Sequence, residues 1–189
     1  MTLLSGTMAA ACRPAPDPPQ TVQPGTACGA APADATVLFS GSDLSAWSGM
    51  TGSPAPWKIE DGAMVVAPGS GNIRTRETFA DCQLHIEFRS PAPAKGEGQD
   101  RGNSGVYIQA RYEVQVLDSF NSETYPDGQC AAIYKKHPPL VNVCRAPGEW
   151  QTYDIIFRAA KFNADGKKTA DATLTVLHNG VLVHDHAPV

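Results

Sequence analysis

From Thr36 onward the apolar residues fall into short runs and strict alternations, without the 3.6-residue spacing of an amphipathic helix. Leu84–Arg89 shows the rule most clearly. Leu84, Ile86 and Phe88 face one way, while His85, Glu87 and Arg89 face the other, as successive side chains of a strand must. Ser104–Gln109, Glu113–Asp118, Gln151–Arg158 and Ala172–His178 read in the same way. Briefer apolar runs at Val37–Phe39, Trp57–Ile59 and Ala63–Val66 are divided by turn signals such as Glu60-Asp61-Gly62. Asn179-Gly180 predicts a two-residue type I′ hairpin into Val181–His184, because both positions tolerate the positive φ that this turn requires. The pattern predicts an all-β chain, a sandwich or jelly roll.

One hairpin can be set in register from the sequence. A three-residue loop of Ala110, Arg111 and Tyr112 pairs Gln109 with Glu113 and Tyr107 with Gln115, so all four polar side chains share a face. A two-residue loop would set Ile108 against Glu113 and mix the faces, since a one-residue slip inverts a strand. Together with His85, Glu87 and Arg89, these residues suggest the lining of a groove rather than a plain solvated sheet.

Composition narrows the partners. Lys and Arg number 15 against 19 Asp and Glu, a net charge of −4, and no basic cluster stands out. Nucleic acid is therefore not an expected partner. The 16 Pro and 17 Gly follow no period and suit many turns. No apolar run is long enough to span a bilayer. Met1 to Ala11 are mostly apolar or small and lead into Cys12 in a way that resembles the end of a lipoprotein signal. No Lys or Arg precedes the run, and an ordinary N-terminal tail is the competing reading. An exported bacterial protein is expected, periplasmic, anchored at the outer membrane or extracellular, touching a membrane only through a lipid at Cys12. Residues 13–35 form a Pro/Ala-rich linker too poor in large apolar side chains to pack. Residues 36–189 are expected to form one domain.

The five cysteines show no CxxC spacing, which disfavours a zinc cage. Cys130 and Cys144 flank a Pro-rich excursion, and bonding them would remove about 3 kcal/mol of unfolded-state entropy at that loop length. A disulfide between them is expected in an oxidising compartment.

Blocks quoted in order carry a family resemblance: VLFSGSDLSAW (37–47), WKIEDGAMVV (57–66), DCQLHIEFRSP (81–91), GNSGVYIQARYEVQVLDS (102–119), AAIYKKHPPLVNV (131–143), PGEWQTYDIIFRAAKF (147–162) and VLHNGVLV (176–183). The chain resembles the 3-keto-disaccharide hydrolase domain family, and GNSG…YEVQVLD is the most specific block. The resemblance implies a concanavalin A-like antiparallel β-sandwich (jelly roll) with carbohydrate on its concave sheet. It also implies an exported bacterial setting and cleavage of glycosides oxidised at carbon 3. Relatives continue beyond the position of Val189, so a final strand is expected to be missing. The cysteine pair is not part of the resemblance.

A ketone at C3 acidifies the C2 hydrogen, so a base can take it and the C1 substituent leaves by elimination, after which water adds. Such a site needs a base, a donor or positive group at the enolate oxygen, and an acid for the leaving oxygen. Glu113 or Glu87 is the candidate base, and Arg89 the enolate stabiliser unless it serves a structural ion pair with Glu87 or Asp118. Tyr134 or His137 is the candidate acid. Asn103, Tyr107, Gln109, Gln115 and Asp118 are the candidate sugar-binding residues. No cofactor is implied with certainty; a divalent metal is one option, and His184-Asp185-His186 is the weak candidate for holding it. Trp47, Trp57 and Trp150 are read as packing residues before sugar platforms. Two other functions stay open: a two-carboxylate glycoside hydrolase using Glu113 and Glu87, and a non-catalytic carbohydrate-binding module of the same fold.

Overall fold

The structure, a computed structural model, describes residues 19–26 and 30–189. The lipoprotein-like stretch, Cys12 and Cys28 lie outside the described residues. The chain divides into two compact units, one ending at Glu77 and one running from Thr78 to Val189.

The first unit holds two small antiparallel ladders. Strand β1 (Trp47–Gly49) pairs with β4 (Ile73–Thr75), and β2 (Lys58–Glu60) pairs with β3 (Ala63–Val65). Asp61 and Gly62, both at positive φ, make the reversal between β2 and β3, as the Glu60-Asp61-Gly62 signal predicted. Val37–Phe39, expected as a strand, is not one. The Leu38 carbonyl instead accepts from the Trp47 indole N–H at 2.8 Å, and the Gly71 carbonyl accepts from Trp57 at 3.0 Å. Both indoles thus serve as structural clasps.

The second unit is an antiparallel β-sandwich. Its larger sheet runs β12 (Val181–Pro188), β11 (Thr173–His178), β8 (Gln151–Arg158), β5 (Cys82–Phe88). Period-2 alternation decides which face is buried: Tyr153, Ile155 and Phe157 of β8 and Leu174 and Val176 of β11 have essentially no exposed surface. Strands β6 (Ser104–Ile108) and β7 (Tyr112–Val116) form the opposing hairpin and turn Tyr112, Val114 and Val116 into the same core. Contact across the layers is direct. The Tyr112 and Phe157 rings lie 5.9 Å apart, and the Tyr153 hydroxyl donates to the Gln115 carbonyl at 2.7 Å. Each fully buried large apolar side chain contributes about 1.5–3 kcal/mol, and truncating Phe157 to Ala would cost about 3–5 kcal/mol. A short ladder of β9 (Lys161–Phe162) and β10 (Lys168–Ala170) projects from this unit with every residue exposed.

The Asn179-Gly180 turn is present, both residues at positive φ and His178 opposite Val181. The β6–β7 hairpin departs from the expected register. Gln109 and Ala110 take positive φ and the Arg111 N–H donates to the Ile108 carbonyl at 3.1 Å, so the chain reverses one residue earlier. Tyr107 therefore stands opposite Glu113 and Gly105 opposite Gln115, with Gln109 in the turn and outside the ladder. The shift is an even number of residues, so the polar set keeps one face.

The expected disulfide is absent, and both Cys130 and Cys144 are free thiols. Each thiol acts on the other, Cys130 being pushed up and Cys144 drawn down to about 7, while the Cys144 sulfur lies 3.6 Å from the Leu117 carbonyl. Cys130 is also hydrogen-bonded through its sulfur to the Tyr153 hydroxyl at 3.1 Å.

Candidate active site

Glu113 lies between Tyr112 and Val114, both core residues, so its carboxylate points away from the core. Tyr107 faces it directly from β6. On the other edge of β7, residues 131–134 run alongside as an irregular segment joined by one isolated bridge. Ala131 N–H donates to the Gln115 carbonyl, Gln115 N–H to the Ala132 carbonyl and Tyr134 N–H to the Glu113 carbonyl, all at 2.9–3.0 Å. With Val114 bridged to Ile133, this register sets Tyr134 beside Glu113. Tyr107, Glu113 and Tyr134 thus form a row across three chain segments.

The glycine of Asn103-Ser104-Gly105 is explained by close approach. A Cβ at Gly105 would overlap the Glu113 carboxylate, which lies over that backbone. Burial raises the Glu113 carboxyl above the ordinary glutamate value, and the hydrogen bond from Tyr107 opposes the rise. Tyr107 is pushed up to about 12, first by desolvation and then by the carboxylate beside it. Tyr134 is raised first by its hydrogen bond to Tyr125 and also by the Glu113 charge. The row therefore presents a Glu113 carboxyl flanked by two phenols whose ionisation is held back.

A hydrogen-bonded frame fixes one end of the row. Gln115, 1% exposed, donates from Nε2 to Gln99 Oε1 at 3.2 Å and to the Gly128 carbonyl at 3.3 Å. Gln99 donates to Thr124 Oγ1 at 2.9 Å and to the same Gly128 carbonyl at 2.8 Å. Asn103 Nδ2 donates to the Gln99 carbonyl at 2.8 Å, leaving its side chain at the surface next to the frame. Gln115 is consequently a buried support rather than a free sugar ligand, although its Oε1 has no partner among the described residues.

Several sequence candidates lie elsewhere. Glu87 and Arg89 alternate with core-facing Ile86 and Phe88, so they project from the outer face of the larger sheet. Glu113 projects from the outer face of the opposing hairpin, with the core between them. The two carboxylates therefore cannot act on one glycosidic bond. Arg89 sits over the Trp150 ring at 5.0 Å and pairs with neither Glu87 nor Asp118, so it cannot stabilise an enolate formed at Glu113. On the Glu87 face His85 contacts Asp154 at 2.6 Å. Asp118, 1% exposed, accepts from Arg101 Nε at 2.6 Å and from the Phe120 N–H at 3.2 Å, which makes it a loop anchor instead of a sugar ligand. His137 is turned toward β12, where its Nε2 donates to the Pro188 carbonyl at 2.8 Å. It lines a separate hollow with Lys136, Lys168 and Asp171. Gln109 is exposed in the hairpin turn.

His184 is buried and donates to the Ala131 carbonyl at 2.8 Å, whereas Asp185 and His186 are exposed. They do not converge on an ion. Among the described residues no group of three or more His, Cys, Asp or Glu side chains is placed to hold a metal.

Two residues that carried no role in the sequence reading join the row. The Tyr125 hydroxyl lies 2.7 Å from the Tyr134 hydroxyl, and Lys135 Nζ is 3.5 Å from the centre of the Tyr125 ring. A single 3-10 turn, Pro126–Gly128, follows Tyr125 directly.

Residues 34–189 match the family described as the 3-keto-alpha-glucoside-1,2-lyase-like domain. The chain belongs to that family. No curated protein matches it. A crystal structure from Parabacteroides distasonis, that of a "putative glycosyl hydrolase", is similar at 46% identity and a TM-score of 0.87, covering 93% of this chain and 76% of its own. A second crystal structure from the same organism, with the same description, shares 19% identity and a TM-score of 0.56 over 79% of this chain and 70% of its own. The second likeness speaks for the fold alone. The 3-keto-glucoside lyase-like domain thus spans both compact units and includes the whole Tyr107–Glu113–Tyr134 row.

Proposed function

We propose that this member of the lyase-like family is a carbohydrate-active hydrolase whose substrate is a 3-keto-glycoside, and that Glu113 is its base. The observation that carries the reading is the Glu113 carboxylate, raised by burial and set between two phenols on one sheet face. In the first step Glu113 takes the C2 proton, and the C–H electron pair forms an enolate onto O3. Collapse of the enolate restores the ketone, forms the C1–C2 double bond and breaks the C1–oxygen bond. Tyr134 gives its proton to the departing oxygen. Water then adds at C1, its proton returning to Tyr134 while protonated Glu113 returns a proton to C2, so the net reaction is hydrolysis. Tyr107, opposite Glu113 in the hairpin register and 51% exposed, offers a donor to the base and to the sugar.

Glu113→Gln tests the assignment, because it keeps shape and removes basicity. Turnover of a 3-keto-glucoside should fall by about 10²-fold or more with KM little changed. Unaltered kcat would remove Glu113 from the base role, and binding of the sugar without product from the wild type would leave a carbohydrate-binding module. Export belongs to the same proposal, supported by the apolar run leading to Cys12. Labelled lipid recovered on Cys12 after expression in a bacterial host would test it.

A further inference from the structure

The acid in this mechanism has to lose a proton to an alkoxide and then stand as a phenolate until water restores it. A lone phenolate is poorly placed for that, since a free phenol ionises only at about pH 10. Tyr134 is not alone. Its hydroxyl is 2.7 Å from that of Tyr125, the two rings lie 6.3 Å apart at 55°, and Lys135 Nζ is 3.5 Å from the Tyr125 ring centre and 5.5 Å from that of Tyr134. An ammonium over an aromatic face is favourable with a neutral ring and more so with an anionic one.

The backbone is shaped to hold this group. A Cβ at Gly128 would overlap the Tyr125 ring, which occupies that space. The Gly128 carbonyl is fixed by both Gln99 and Gln115. Lys135 takes φ of +59°, a conformation unusual for a side chain of its size. Its N–H donates to the Asp127 carbonyl at 2.9 Å, tying it to the turn that carries Tyr125.

We propose that Tyr125 is a positioning residue that passes its proton to Tyr134 as Tyr134 protonates the leaving oxygen, with Lys135 as the counter-charge for the resulting phenolate. The proposal rests on the reading of the Glu113 row as a 3-keto-glycoside site. Its proton balance closes. The Tyr134 O–H breaks as the alcohol O–H forms, and the Tyr125 O–H breaks as Tyr134 is restored. During hydration the water proton returns to Tyr125 through Tyr134. Of the two neighbours of Tyr134, Glu113 serves C2 and Tyr125 serves the leaving group.

The role has a signature that packing alone would not give. An alkoxide leaving group needs the proton, whereas nitrophenolate leaves with little assistance. Purified full-length wild type, Tyr125→Phe, Lys135→Met and Glu113→Gln would be compared on a methyl and a 4-nitrophenyl 3-keto-glucoside, with thermal melts alongside. For Tyr125→Phe the kcat loss on the methyl glycoside should exceed that on the nitrophenyl glycoside by about 10-fold or more, less than the roughly 10²-fold or more of a directly acting proton donor because Tyr125 acts through Tyr134. Lys135→Met should move the same ratio in the same direction with its melting temperature kept, since its side chain is exposed. Equal losses on the two substrates, or no loss on either, overturn the proposal. If Tyr125→Phe fails to fold, the Lys135→Met ratio decides alone. Wild type that turns over neither substrate overturns the site reading and this proposal with it. Wild-type turnover that Glu113→Gln abolishes, with an unmoved leaving-group ratio, overturns this proposal only.

Discussion

The Glu113 carboxylate rests on the Cα side of Gly105, in space that any larger residue would fill. This contact predicts that Gly105→Ala is an active-site lesion even though Gly105 contributes no functional group. The obstacle is the far end of a flexible side chain, so the fold should tolerate the methyl while Glu113 swings aside. We expect a kcat loss of about 10-fold or more from a displaced base, with a melting temperature close to wild type. A variant that melts normally and turns over 3-keto-glucoside at full rate would show that the carboxylate need not sit there.

Arg101 and Asp118 make the second prediction. The Asp118 carboxylate is buried and its partner guanidinium is mostly buried, at 2.6 Å. Asp118→Ala strands a guanidinium and an amide and should cost about 3–5 kcal/mol, read as a shift of the urea midpoint. Were Asp118 a sugar ligand instead, the substitution would raise KM and leave the midpoint in place.

The alternation of β5, β7, β8 and β11 made the fold class legible, and Asn179-Gly180 marked its hairpin, because each signal is local. The site was half legible for the same reason. Period 2 assigns Glu113 and Glu87 to the polar side of their strands, but it cannot say that these sides look out from opposite layers of a sandwich. The reversal at Gln109 and Ala110 was hidden because neither is a residue type that advertises positive φ. Tyr125 and Lys135 were silent because an aperiodic segment delivers them, held to β7 and to itself by backbone hydrogen bonds that no periodicity announces.

Acid should weaken the second unit through His178. Burial, aided by the nearby Arg145 charge, lowers this imidazole to about 4, and its Nε2 is 3.0 Å from Gln151 Oε1. Burial also lowers His184. Because the unfolded chain binds the proton near pH 6.5 and the folded one does not, the unfolded state carries more protons between those values. Stability is therefore full above about 6.5 and falls as pH drops toward 4, by on the order of 3 kcal/mol for His178. Urea midpoints measured across this window should decline in wild type and decline less steeply in His178→Gln. Parallel slopes for the two proteins would assign the acid sensitivity elsewhere.

The last prediction concerns Cys130 and Cys144, two of the three free thiols among the described residues. Cys144 is partly exposed and its neighbour Cys130 is buried. The neighbouring Cys130 thiol, helped by the Ser119 N–H and Gln151, outweighs desolvation and draws Cys144 to about 7. Cys130 moves the opposite way, raised by the Cys144 thiol and by burial. The thiolate is the nucleophile, so accessibility and acidity act together here. In native, reduced protein iodoacetamide should label Cys144 first, with a rate that rises through pH 7 rather than near the ordinary cysteine value of about 8.5. Cys130 should react only as the core opens. Removing the partner thiol supplies the control: Cys130→Ala deletes the neighbour that favours the Cys144 thiolate, so the labelling midpoint should move upward. A midpoint of about 8.5 in wild type that does not move in Cys130→Ala would mean that the two thiols do not act on each other. Peptide mapping by mass would identify the labelled site at each pH.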